Sequence, residues 1–235
     1  MSFIQSIVDA INRTFIVDNR YLLFLQGLET TVIITVFAAI IGILLGTFVA
    51  ICKVYHHQTG KLSLLDKILS LYLTIFRGTP IVVQLMIWAF VVFVSVDNEI
   101  PVAVFAFGVN SGSYVAEIVR AGIMAVDQGQ TEAGRSLGLG AGATMRYIVL
   151  PQAFKNILPA LSNEVIALLK ETSVVGYIAV TDLTKAADLV RARTFDAFLP
   201  LLFVALIYLT LVILLTCVQR WLERRLQFSD RSKKS

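Results

Sequence analysis

The distribution of apolar residues along the chain constrains its fold more than any other feature. From Tyr21 to Ile51 the apolar side chains are interrupted only by Gln26, Glu29, glycines and scattered threonines, and further runs cover 64–96, 101–123, 151–178 and 199–222. A helix that crosses a bilayer needs about 20 such residues. Charged residues are 15% of the 235-residue chain, where about 25% is usual for soluble proteins, and hydrophobic residues are 57%. Mean hydropathy is +0.79. So few charges cannot cover so much apolar side chain in water. A cytosolic enzyme, a secreted disulfide scaffold and a disordered linker are excluded. The expectation is an all-α integral membrane protein with five transmembrane helices.

The second run contains Arg77-Gly78-Thr79-Pro80. Pro80 lacks an N–H and strains the preceding turn, so a broken helix is expected there, with the part before Arg77 near the interface. Basic residues sort by loop. Lys53 and Lys61 follow the first run, Arg135 and Arg146 follow the third, and Arg220, Arg224, Arg225, Arg231, Lys233 and Lys234 follow the fifth; Asp97 and Glu99 alone follow the second. The loop after the fourth departs from this pattern, with Lys185, Arg191 and Arg193 beside Asp182, Asp188 and Asp196. The positive-inside rule then puts the N-terminus outside and the C-terminus inside. The net charge of +4 therefore marks membrane orientation and lipid contact, and no nucleic-acid partner is expected. Ile4, Ile7, Val8, Ile11 and Phe15 recur at helical spacing, which predicts a short surface helix rather than a cleaved leader. The expected organisation is an amphipathic extracytoplasmic segment over 1–20, a transmembrane domain over 21–222 and a basic cytoplasmic tail over 223–235.

Glu29, Glu117, Glu164, Lys170 and Glu171 fall inside the runs. A charge at the bilayer centre costs about 2.5–3.5 kcal/mol on insertion scales, so these groups must face protein or water. Glu164 and Glu171 lie two turns apart on one helical face, and Asn110, Tyr114 and Glu117 share another. Two readings stay open: interhelical hydrogen bonds that satisfy one another, or a hydrated solute pathway. Gly42 and Gly46 form a GxxxG pair that predicts close helix packing.

The segment 127–151 is more than a connector. Asp127 is placed to cap a helix, with Gln130 at the third helical position returning the bond, and Gly138 suits the left-handed residue that ends it. Met145, Ile148 and Val149 give a second short apolar face before Leu150-Pro151. Two short helices bent at a glycine would form a knob suited to a groove on another protein. The run from Gly138 to Ala143 matches a loose dinucleotide pattern but has no strand before it, and no P-loop occurs in the chain. No metal cluster or nucleophile–base pair is evident, and no cofactor is expected.

Glu132-Ala133-Gly134, then Gly138, then nine residues to Ile148-Val149-Leu150-Pro151 resembles the EAA signature of bacterial ABC-importer permeases, EAA-x3-G-x9-I-x-LP. The departure is Gly134 in place of the second alanine; glycine costs about 1 kcal/mol inside a helix, so a slightly looser knob is expected. Arg77-Gly78-Thr79-Pro80, the stretch from Tyr114 to Ile123 and Lys170-Glu171-Thr172-Ser173 resemble the polar amino-acid branch of that family. The resemblance runs from about Gly27 to Arg225.

It implies a type I ABC importer permease whose cytoplasmic coupling-helix loop docks on a separate ATP-binding cassette ATPase subunit. It also implies a second permease, as homo- or heterodimer, an extracytoplasmic amino-acid-binding protein, and residence in the bacterial cytoplasmic (inner) membrane. The chain itself would carry no nucleotide site and would not be an enzyme. Glu132, Ala133, Gly134, Gly138, Ile148, Leu150 and Pro151 match the coupling signature. Asn110, Ser113, Tyr114, Glu117, Glu164, Lys170 and Glu171 are the candidate solute contacts, acidic groups for an α-ammonium and Lys170 or helix-end N–H groups for a carboxylate. Two rival readings are an ion-gradient-driven carrier or channel using the buried glutamates, and an assembly subunit whose knob only recruits a partner. Neither accounts for the full spacing from Glu132 to Pro151.

Overall fold

The computed structural model describes residues 3–231. Lys233 and Lys234 of the expected basic tail lie outside the described residues, as do the side chains of Ile4, Ile7 and Arg231. Among the described residues there is no strand. The elements are α1 (Phe3–Ile11), α2 (Tyr21–Thr59), α3 (Ser63–Gly78), α4 (Ile81–Ile87), α5 (Glu99–Met124), α6 (Gln128–Ser136), α7 (Ala141–Thr144), α8 (Leu150–Glu171), α9 (Leu183–Thr194) and α10 (Phe198–Arg231). Short 3-10 and π turns continue several of them.

α2, α5 and α10 are each long and apolar enough to cross a membrane, and the pair formed by α3 and Ile81–Val92 becomes a fourth candidate if counted as one broken span. The break falls at Thr79-Pro80, where the chain bends by 110°. Thr79 is extended and Pro80 caps α4, as the residue before a proline and a proline at a helix start should behave. α8, the expected fourth span, carries Lys155, Glu164, Lys170 and Glu171 in 22 residues and is not among the candidates by apolarity. Only 6% of the apolar stretch of α10 is buried. A helix apolar on nearly every face and buried on almost none has no stable place in water.

Backbone contacts group the chain into two compact units: Met1–Ala39, Pro80–Gly108 and Ala167–Leu214 form one, and Ile40–Thr79, Val109–Ile166 and Leu215–Ser235 the other. In the first, Phe24, Leu183, Ala186, Ala187, Val190 and Val204 form the core. Phe15, Phe24 and Phe203 meet above it with ring centroids 4.7–5.6 Å apart, a spacing that favours tilted and edge-on contact. On α9, Asp188 accepts from both Lys185 and Arg191. Arg191, then Lys185, holds its carboxyl below the usual range. Two of the three basic residues that broke the loop-charge pattern thus share one carboxylate, which offsets one of their two charges.

In the second unit, Ala50, Val54, Val115, Val119, Ile123, Val149, Ala153 and Ile157 form the core. The GxxxG pair does what its spacing predicts. A Cβ on Gly46 would lie 2.6 Å from both the Gly112 carbonyl oxygen and Val115 Cβ, and one on Gly42 would lie 3.0 Å from Ser111 Oγ. α2 and α5 therefore touch backbone to backbone. Gly78, in contrast, has open space where a Cβ would stand. Gly46→Ala is expected to cost about 1–3 kcal/mol as overpacking. Gly78→Ala should leave the unfolding midpoint in detergent unchanged or slightly raised, so equal midpoints for the two variants would refute this packing.

Candidate functional site

The knob is built from α6 and the start of α8. Asp127 caps α6, its carboxylate accepting from the Gly129 N–H at 2.7 Å. Gln130 does not return the bond as expected. Its Oε1 instead accepts from Gln152 Nε2 at 3.3 Å, which ties α6 to α8. Gly138 takes φ +84°, with its N–H donating to Arg135 O at 3.0 Å and the Leu139 N–H to Gly134 O at 3.2 Å. That 6→1 and 5→2 pair is a Schellman ending, which needs a residue free to be left-handed.

The expected second short helix is instead the beginning of α8, since helical backbone runs unbroken from Ala141 through a π turn at Met145–Val149. Pro151 supplies the reason. A proline in a helix removes one i→i−4 bond and clashes with the carbonyl four residues back, and a π turn just before it absorbs both.

Gly134 is buried. A Cβ there would stand 2.7 Å from Ile148 Cδ1 and 2.9 Å from Thr144 Cγ2. The glycine that was expected to loosen the knob lets α6 sit directly on the π turn, so the knob is tighter. The signature residues divide accordingly. Gly134 and the half-buried Ile148 hold the knob together, whereas Glu132, Ala133, Gly138, Leu150 and Pro151 are exposed. Sequence reasoning missed the most exposed large apolar side chain of the knob: Leu137, 82% exposed, immediately before the left-handed glycine. An apolar residue at a helix-ending turn was the available signal.

The predicted intramembrane residues fall into two groups. In the second unit, Glu164 Oε1 accepts from Ser111 Oγ at 2.8 Å, joining α8 to α5. Asn110 is buried and its Nδ2 donates to Phe76 O at 3.1 Å; Tyr72 OH donates to Val109 O at 2.6 Å. Both side chains tie α5 to α3. Ser113 is fully buried and donates to Asn110 O at 2.7 Å, so its hydroxyl supports its own helix. Tyr114 is 37% exposed, with the Arg77 guanidinium 5.6 Å from its ring centre. Glu117 pairs with Arg120 one turn on, Nε to Oε2 at 3.0 Å, leaving both groups about one-third exposed. Ser111 was not singled out beforehand, and Arg77 and Arg120 stood only within family motifs, not as partners of Tyr114 and Glu117. Contacts between helices have no periodicity in one sequence.

In the first unit, Lys170 is exposed and lines a cavity of about 310 Å³ with Ser173, Thr184, Leu201, Val204 and Tyr208. Glu171 is half-buried. Nearby, the fully buried Asp182 accepts from the Lys185 N–H at 2.8 Å, the Thr184 N–H at 3.2 Å and Tyr208 OH at 3.3 Å. These bonds cap α9 and anchor it on α10. No grouping of three metal-binding side chains occurs among the described residues.

Residues 42–228 match the family described as the inner membrane component of binding-protein-dependent transport systems. The chain is 41% identical over 209 residues to the arginine transport system permease protein ArtQ of Bacillus subtilis, covering 88% of this chain and 93% of that one. It is 37% identical to the putative glutamine transport system permease protein GlnP of Rickettsia bellii, covering 88% and 94%. A crystal structure of an amino acid ABC transporter with histidines superposes with TM-score 0.80 at 39% identity, over 90% of this chain and 98% of that chain. The inward-facing MetNI methionine ABC transporter shares the fold at 20% identity, with TM-score 0.75 over 88% and 97%.

The knob's two glycines should respond to alanine for different reasons. Gly138→Ala meets open space but a left-handed backbone, which costs about 1–2 kcal/mol. Gly134→Ala meets the Thr144 and Ile148 side chains instead. Trimming Ile148 to Val alongside Gly134→Ala should recover part of the lost resistance to limited proteolysis at the knob, while the same trimming should not rescue Gly138→Ala.

Proposed function

The chain belongs to the family of inner membrane components of binding-protein-dependent transport systems, and we propose that it is the permease subunit of an ATP-driven importer of a polar amino acid. In this reading α2, the broken pair α3–α4, α5, α8 and α10 are five spans, with the N-terminus outside and the C-terminus inside. A second permease, ATP-binding cassette ATPase subunits and an extracytoplasmic amino-acid-binding protein complete the assembly. The observation that carries the reading is the knob: a capped, glycine-terminated helix bearing the Glu132-to-Pro151 signature, packed on α8 through Gly134 and presenting Leu137.

Glu132, Ala133, Gly138, Leu150 and Pro151 form the docking side of the coupling helix, with Leu137 as its apolar anchor; Gly134 and Ile148 transmit the movement to α8. α8 also carries Glu164 and Lys170, so movement of the knob shifts charged groups inside the membrane. ATP drives the cycle only by favouring the outward-open state over the inward-open one.

Arginine and glutamine, named for the relatives, share an α-ammonium and an α-carboxylate. Tyr114, Glu117, Glu164 and Glu171 are the groups proposed for the ammonium end and Lys170 for the carboxylate. Asn110 and Ser113 position the α5 face that carries Tyr114 and Glu117.

Two experiments test this. Leu137→Asp should abolish co-purification of the ATPase while leaving the chain in the membrane, and an ATPase that stays bound would remove the anchor role. Glu164→Gln keeps an acceptor for Ser111 but loses the charge. Loss of a charge-assisted bond of about 1.5–3 kcal/mol corresponds to a roughly 10- to 150-fold weaker apparent affinity in uptake. Unchanged uptake in both Glu164→Gln and Glu117→Gln would eliminate the solute role, and uptake that survives ATP depletion but collapses with the proton gradient would replace the importer by a secondary carrier.

A further inference from the structure

Where α3 ends, just before the break at Thr79-Pro80, one cation of the second unit stands without a counter-charge. We propose that Arg77 receives the carboxylate of the transported amino acid, with the Tyr114 ring positioning it. This deepens the transport reading and rests on it, and it gives the carboxylate a partner beside the α5 face that carries Glu117.

The first support is charge pairing. Lys53 Nζ lies 2.8 Å from Asp66 Oδ1, and Arg120 engages Glu117 through Nε at 3.0 Å and a terminal nitrogen at 2.5 Å. Each of these cations has its own carboxylate. Arg77 does not. Among the described residues its guanidinium is paired with no carboxylate, and its contact is the Tyr114 ring, 5.6 Å from the centroid. Arg77, Arg120 and Glu117 therefore leave one positive charge uncompensated. A planar guanidinium presents five N–H donors in a fork that matches a carboxylate. A ring beneath the cation steadies it without taking up those donors.

The second support is position. Tyr114 stands fifteen residues after the start of α5 at Glu99 and ten before its end at Met124. At about 1.5 Å per residue the two ends are roughly 15–22 Å away, which places the contact near the middle of a hydrocarbon core about 30 Å thick. A permanent cation at that depth faces protein, water or a counter-ion rather than lipid. The corner beside it is open: Arg77, Gly78 and Thr79 are exposed, and a Cβ on Gly78 would have nothing within 4 Å. Asn110 Nδ2, donating to Phe76 O at 3.1 Å, holds the residue before Arg77 against the same face of α5. Glu117 lies one turn beyond Tyr114, and its oxygens keep lone pairs for an ammonium after accepting from Arg120. The two charges of an α-amino acid find opposite partners in Arg77 and Glu117.

The test uses the complete importer in vesicles and the purified permease–ATPase complex in detergent. The vesicles are given the twenty common L-amino acids, arginine and glutamine among them, and the one accumulated with ATP becomes the probe. Its binding to the purified complex, without the extracytoplasmic binding protein, is compared with that of its α-amide, which keeps the ammonium and side chain but lacks the carboxylate. The unaltered complex should prefer the acid by roughly tenfold or more. Arg77→Gln should bring that preference to within about twofold by weakening acid binding, and Arg77→Lys, which keeps the charge but not the fork, should lie between. An arginine that only held the fold or paired with another subunit would weaken acid and amide together, so an unchanged preference in Arg77→Gln would overturn the assignment. An unaltered complex that binds acid and amide alike would overturn it too. A preference lost in Lys170→Gln but kept in Arg77→Gln would return the carboxylate to Lys170 alone. If the unaltered importer accumulates no amino acid, the transport reading itself falls, and this assignment with it.

Discussion

Inside a hydrocarbon slab a polar group has no water to fall back on, and every N–H, hydroxyl and carboxylate must find its partner within the protein. Much of this structure follows from that constraint. Thr31, Thr35, Ser162 and Thr210 turn their hydroxyls onto carbonyls four residues back, so these polar residues cost the helices little. Where a side chain is too far from its own backbone, it reaches another helix: Asn110 to Phe76, Tyr72 to Val109, Ser111 to Glu164. Such bonds contribute only about 0.6 kcal/mol each on average in membranes, because alternative partners exist in the unfolded chain. Their effect is therefore less on stability than on which face of α5 meets α3 and α8.

Close approach provides the complement. Lipid tails are as apolar as leucine, so no hydrophobic drive pushes helices together within the bilayer, and small residues let dispersion act at short range. Gly46 against Gly112 and Val115 does this for α2 and α5; Gly122 against Ile157 does it for α5 and α8. Gly134 repeats the device in the knob, on Thr144 and Ile148. A single contact geometry thus recurs from the membrane helices to the knob.

Prolines shape the chain at the places where helices must deviate. Pro80 begins α4 after a 110° bend, and Pro151 follows a π turn that lets α8 continue into the knob. The first was readable as a break. The second was read as a boundary between two helices, because a sequence shows that a proline disrupts the regular bond pattern and does not show whether the backbone stops or widens by one residue.

What the sequence determined by itself was what short-range chemistry dictates. Apolar runs located the long helices α2, α5 and α10, Asp127 and Gly138 marked the ends of α6, and Gly42 and Gly46 announced a close crossing. Tertiary structure alone decided what depends on residues far apart in the chain. It paired Glu164 with Ser111, laid Arg77 over Tyr114, sent Gln130 to Gln152, buried Ser113, and turned Gly134 from a weak point into a contact. Propensity and capping act over a few neighbouring residues and leave a local signature, whereas a hydrogen bond across helices depends on rotation and offset that many packing contacts set together.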